Sequence, residues 1–154
     1  MRTLEDLVMF AARRAADLMR QDGAVAPVAI LATLSEPHTA TVVALDFSSD
    51  EAKALSVEAV KQLARKTRSA VVFVSETWYT EIHASGTAGR VRPAESPDRK
   101  EAIFVSGFSP SGAVAAIIRV ERGPDGTPIP GEPELFSGRV ETWMNPWPDQ
   151  EPVH

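Results

Sequence analysis

Three apolar, β-branched runs follow one another in the second half of the chain: AVVFVSETW (70–78), EAIFVSGF (101–108) and AVAAIIRVE (113–121). Such runs are strands with little polar–apolar alternation, so each must bury both of its faces. A sheet built from them needs a cover on each side. Helices are expected to cover one face, and another element has to shield the other. SPSG (109–112) between the last two runs is a tight-turn sequence that makes them a hairpin.

Two further strands precede these. PVAILATL (27–34) is apolar throughout and flanked by breakers, and TATVVALD (39–46) follows the turn SEPH. They read as a hairpin with a largely buried first strand. His38 lies in that turn, where a solvated side chain is expected.

Two helices complete the pattern. In the first, Thr3 is the N-cap, with Asp6 in the capping-box position, and Gly23 stops the run. Leu4, Leu7, Val8, Ala11, Ala15, Leu18 and Met19 recur between them at helical spacing, a face expected to pack on the sheet. The second helix spans about 48–67, with Ser48 or Ser56 as cap. Ala52, Leu55, Ala59, Val60, Leu63 and Ala64 form its expected apolar face. Lys61, Arg65 and Arg68 form a basic stripe, read as a solvated surface with cations near the helix C-terminus.

The resulting order is α-β-β-α-β-β-β, an α/β (α+β) fold with a largely antiparallel five-stranded sheet and two helices. This order resembles that of the roadblock and longin-like group, which shares a profilin-like sandwich, although the closing helix of the roadblock pattern is missing. Residues 1–121 are expected to form one domain. Residues 122–154 form a Pro-rich, acidic tail with a Trp-containing arm, and GPDGTPIPGEPE within it is expected to lack regular structure.

Charge follows that division. The chain of 154 residues carries a net charge of −5. Acids and bases cancel over residues 1–120, and the imbalance lies in residues 121–154, where seven acids, Glu121 included, face Arg122 and Arg139. A neutral body gives no general attraction to nucleic acid or anionic lipid. Cysteine is absent, which excludes a thiolate nucleophile, disulfides and Cys-based metal sites and fits a reducing, cytoplasmic location. No apolar run approaches membrane-spanning length, so no membrane association is expected.

Chemistry, if present, belongs to the connection of about 22 residues from Tyr79 to Lys100. Asp98-Arg99-Lys100 matches half of a metal-dependent nuclease core but lacks an upstream Asp. Glu81 and His83, with Glu76, are loosely spaced for a metal. Glu76 and Glu95 are a candidate acid–base pair. There is no Gly-x-Ser-x-Gly elbow and no phosphate-cradling glycine loop.

A charged latch accounts for more of these residues. Pro93 and Pro97 stiffen the chain, Asp98 is suited to capping a turn, and Arg90, Arg92 and Arg99 offer planar forks for Glu76, Glu95 or Glu101. SETW (75–78) and RPAESPDRKEAIF (92–104) resemble a "SE-x-W … RP-x-E-x-PDRKE" pattern in a group of small bacterial and phage proteins with no assigned activity. That resemblance covers about residues 26–121. It implies that Glu76, Trp78, Arg92, Glu95, Asp98, Arg99 and Glu101 act as one unit.

In the tail, Trp143, Met144 and Trp147 are side chains of the kind enriched at interface hot spots. They form either an interaction arm for a protein partner or a cover for the chain's own sheet. Together these features point to a non-enzymatic accessory or protein-interaction domain, with no cofactor or metal, that self-associates as a homo-oligomer through a sheet edge and the arm. The alternative is a small metal-dependent hydrolase or phosphodiesterase with its site in the 76–101 loop. Nucleic-acid binding through Lys61, Arg65 and Arg68 is disfavoured by the neutral body.

Overall fold

The computed structural model describes residues 3–35, 38–79, 100–136 and 142–147. Helix α1 (Leu4–Asp22) starts where the sequence says it should. The Thr3 hydroxyl accepts from the Asp6 amide at 3.0 Å, and Gly23 closes the helix in the left-handed region at φ 77°.

Helix α2 (Asp50–Thr67) is capped by Ser49, whose hydroxyl accepts from the Ala52 amide. The expected caps, Ser48 and Ser56, are engaged elsewhere. The Ser48 hydroxyl donates to the Asp46 carboxylate at 2.6 Å, and the Ser56 hydroxyl contacts the Asp46 backbone.

The strands are β1 (Val28–Ala32), β2 (Ala40–Ala44), β3 (Ala70–Tyr79), β4 (Lys100–Ser109), β5 (Gly112–Arg122), β6 (Pro128–Pro130) and β7 (Glu134–Phe136). They form one sheet in the order β2-β1-β3-β4-β5-β6, with β7 also on β5, and every pairing is antiparallel. The fold is therefore α+β, with the five expected strands extended by two short ones.

Those two strands correct the expectation that the Pro-rich segment lacks regular structure. The reason lies in the register. Gly123 donates to the Thr127 carbonyl and Gly131 to the Arg119 carbonyl, so odd-numbered residues of β6 face β5. Pro128 and Pro130 fall on the outward positions, where a missing N–H costs no ladder bond.

Alternation along the central strands sorts the core into two layers. Val72, Val74, Ile103, Val105, Ala116, Ile118 and Val120 pack on α1, whose Leu7, Val8, Ala11, Ala12, Ala15, Ala16 and Met19 are buried. Ala29, Leu31, Val71, Phe73 and Phe108 pack on the opposite side with Val57, Val60 and Ala64 of α2, and with Met144. The two helices therefore lie on opposite faces, which corrects the expectation of helices on one face only: the second face is closed by α2 together with residues 142–147. Each fully buried Val, Leu, Ile or Phe contributes about 1.5–3 kcal/mol, so both layers are needed.

α2 is rotated from its expected setting. Its buried stripe is Val57, Val60 and Ala64, while Leu55 is 67% and Leu63 42% exposed. Ser56 contacts Asp46 just after β2, and Lys61 and Arg65 reach residues 142–147. At about 100° per residue this turns Leu63 and Ala59 toward the Ser56 side of the helix, while Leu55 points away from the sheet.

Candidate functional site

The charged end of the sheet lies beyond the C-terminus of α1. Period-two alternation carries the α1 face of β3 from Val74 to Glu76 and Trp78. Trp78 pairs with Glu101 of β4, and Glu101 with Val120 of β5, which places all of them on that face. With Met19, Thr77 and Ala102 they line a cleft of about 180 Å³. Of the seven residues assigned to a charged unit, three are therefore brought together here. Arg92, Glu95, Asp98 and Arg99 lie outside the described residues, as do Glu81, His83, Arg90, Pro93 and Pro97.

Each carboxylate has a partner that the sequence did not suggest. Glu76 accepts from the Val25 amide at 2.5 Å, pinning the chain between α1 and β1. Glu101 is held by Arg122, whose Nε and Nη2 both lie 3.0 Å from one carboxylate oxygen. Arg122 also donates to the Gly126 carbonyl. Arg122 is on β5, so only the strand register reveals it as a neighbour of Glu101.

The cleft's chemistry is limited. Its one hydroxyl, that of Thr77, donates to the Trp78 carbonyl. Its volume is below the roughly 300–1,000 Å³ of pockets that take small organic ligands. Among the described residues no three of His, Cys, Asp and Glu are grouped to hold a metal ion.

The arm occupies the other face. Thr142–Met144 form a 3-10 turn on α2, and the Asn145 side chain accepts from the Trp147 amide. Met144 is 7% exposed, Pro146 is buried, Trp147 is half-buried, and Trp143 is 42% exposed. Lys61 Nζ donates to the Trp143 carbonyl at 2.7 Å and Arg65 Nη1 to the Pro146 carbonyl at 3.1 Å. Lys53 Nζ sits 5.7 Å from the Trp143 ring centre and 4.7 Å from that of Phe47. Two cations of the basic stripe thus hold the arm's backbone, and the third, Arg68, ends α2 in the left-handed region at φ 51°.

Glu58 lies beside both arm-holding cations, 3.4 Å from Lys61 and from Arg65. The Lys61 charge, helped by hydrogen bonds from Lys61, Gln62 and Arg65, holds its carboxyl below the ordinary glutamate value. A carboxyl with a depressed folded-state pKa stabilises the fold above its unfolded pKa, and that contribution disappears as pH falls through the folded value. A carbon-detected NMR titration should find Glu58 below the usual range in the wild type and shifted up in Lys61→Ala. An unchanged Glu58 would show that Lys61 is not its partner.

The third feature is the β2 edge. Leu45 donates to the Pro27 carbonyl and Thr33 to the Thr39 carbonyl, so odd-numbered residues of β2 exchange bonds with β1. The N–H and C=O groups of Ala40, Val42 and Ala44 therefore point out of the sheet. Nothing in Ala40–Ala44 is charged, and there is no proline. Val42 is 67% exposed. At the far edge, β6 offers the proline-blunted positions of Pro128 and Pro130.

No described helix is long and apolar enough to cross a membrane. The chain matches no protein-family model, no curated protein and no solved structure.

Proposed function

We propose that this chain is a non-enzymatic protein-interaction domain that pairs with a second copy of itself through β2, in the cytoplasm. The observation that carries the reading is the open backbone of Ala40, Val42 and Ala44 on an uncharged edge strand. Proteins that remain monomeric blunt such edges with proline, charge or a bulge. Here the β6 edge is blunted and the β2 edge is not.

Antiparallel pairing about a two-fold axis at Val42 sets Val42 against its counterpart and Ala40 against Ala44. Every outward N–H and C=O of β2 then finds a partner. Pairing of that edge with its own copy gives a closed dimer rather than a filament. Leu63, on the Ser56 side of α2 and 42% exposed, adds apolar surface on that flank. The competing reading, a metal-dependent hydrolase at residues 76–101, draws support only from Glu76 and Glu101 sharing one cleft.

Val42→Pro tests the proposal selectively, because it removes an outward N–H and leaves the β1–β2 ladder intact. By analytical ultracentrifugation at about 10–100 μM, a range typical of modest protein association, the wild type is expected to be a dimer and Val42→Pro a monomer with unchanged circular dichroism. A monomeric wild type, or a dimer that survives the substitution, would sink the proposal.

A further inference from the structure

The arm is held in a way that does not depend on its belonging to this chain. Lys61 and Arg65 contact it through backbone carbonyls, which any peptide offers. Side-chain selectivity is confined to two buried anchors, Met144 and Pro146, with Trp143 and Trp147 at the rim. Among the described residues the arm makes no strand pairing, so no sheet register binds it to the body.

The charges are complementary as well. Lys53, Lys61 and Arg65 flank the seat against one acid, Glu58, so the seat keeps a net positive charge, and the surrounding tail carries Glu141, Asp149 and Glu151. Short segments that set a few side-chain anchors into an apolar groove are a recurring form of peptide recognition.

From this we infer that the arm-bearing flank of α2 is a peptide-binding groove, occupied in cis by residues 142–147. It takes in trans an acidic, proline-bearing segment of another protein that supplies a Met-like anchor and a flanking Trp. The tethered arm is a competitor. A short tether gives it an effective concentration in the millimolar range, so only a segment that binds more tightly or is locally abundant displaces it. The groove does not rest on pairing through β2, and cutting the tail and Val42→Pro test the two separately.

The test starts from the intact, folded chain carrying a specific protease site inserted between Gly138 and Arg139. Cutting should leave the body folded, as judged by circular dichroism and melting temperature, with residues 139–154 dissociating on dilution. A fluorescently labelled synthetic peptide of residues 139–154 should then rebind the cut body at micromolar concentration, and the uncut chain at least about tenfold more weakly. Lys61→Ala with Arg65→Ala in the cut body, or replacement of the peptide's acids by lysine, should each weaken rebinding by about tenfold or more, the size expected for lost charge-assisted contacts.

Three results would overturn the groove. They are unfolding of the body on cutting, which would make the arm an integral core element, failure of the peptide to rebind a folded body, and equal binding to cut and uncut chains. An uncut dimer that persists in Val42→Pro and falls apart on cutting would make the occupant the arm of a second copy, overturning the assignment to another protein.

Discussion

Phe108→Ala is expected to destabilise the fold by about 3–5 kcal/mol, the range for removing a buried phenylalanine from a packed core. Phe108 is 1% exposed and sits in the layer between the sheet and α2, where its ring meets that of Phe73 edge-on at 6.1 Å. Val57, Val60, Ala64 and Met144 belong to the same cluster, and the small residues among them have little reach to fill the void. Against a typical total stability of about 5–15 kcal/mol this is a large fraction of the whole. Urea titration followed by far-UV circular dichroism measures it. Because Met144 shares the cluster, the loss should also loosen the arm and shift Trp emission to longer wavelength before global unfolding. A cost under about 1 kcal/mol would mean that the second layer is not closely packed, since tight packing is what makes the residual cavity costly.

The second large effect arises where α1 meets the sheet. A Cβ built on Gly107 would lie 2.3 Å from Val8 Cγ2 and 3.1 Å from Leu4 Cδ1. Val8 is fully buried and β-branched, so it has no free rotamer into which to retreat. Gly107→Ala should therefore cost about 1–3 kcal/mol through overpacking, and Gly107→Val more. The cause is separable from any general effect of changing a strand glycine. Val8→Ala removes the clashing methyl, and the double variant Val8→Ala/Gly107→Ala should recover part of the loss, with a coupling of about 0.5–3 kcal/mol in a double-mutant cycle. Additive losses would show that α1 approaches β4 less closely than these contacts indicate.

The two substitutions probe opposite faces of one sheet, and both faces matter to the proposed functions. The α1 layer fixes β3 and β4 from the side away from the arm. The α2 layer positions Lys61 and Arg65 for the arm and leaves Leu63 exposed on its other flank.

Much of the charged end remains where the sequence left it. Glu76 and Trp78 on β3 and Glu101 on β4 line one cleft. Their partners were not legible. Val25 and Arg122 are remote from Glu76 and Glu101 along the chain, and only the antiparallel registers juxtapose them. The basic stripe of α2 was visible at i, i+4 and i+7. Its role in holding backbone carbonyls was not, because nothing in the helix period says what lies across from it. The setting of α2 misled for a related reason. Leu55 and Leu63 are as apolar as the residues that are buried, and the position of the sheet beneath decides which stripe wins.

The sequence by itself determined the two helices and the five longer strands, with several of their ends. Thr3 and Gly23 act over three or four residues through bonds that any local chain can make, and the strand-forming runs carry their β-branched, two-sided burial wherever they sit. Only the tertiary structure decided which strands are neighbours, their registers and which edge is left open. Val42 pointing its N–H outward on β2, and Pro128 and Pro130 hiding the same position on β6, follow from a parity that a shift of one residue would reverse. That parity is fixed by pairing between segments far apart in the chain, which no short-range propensity contains.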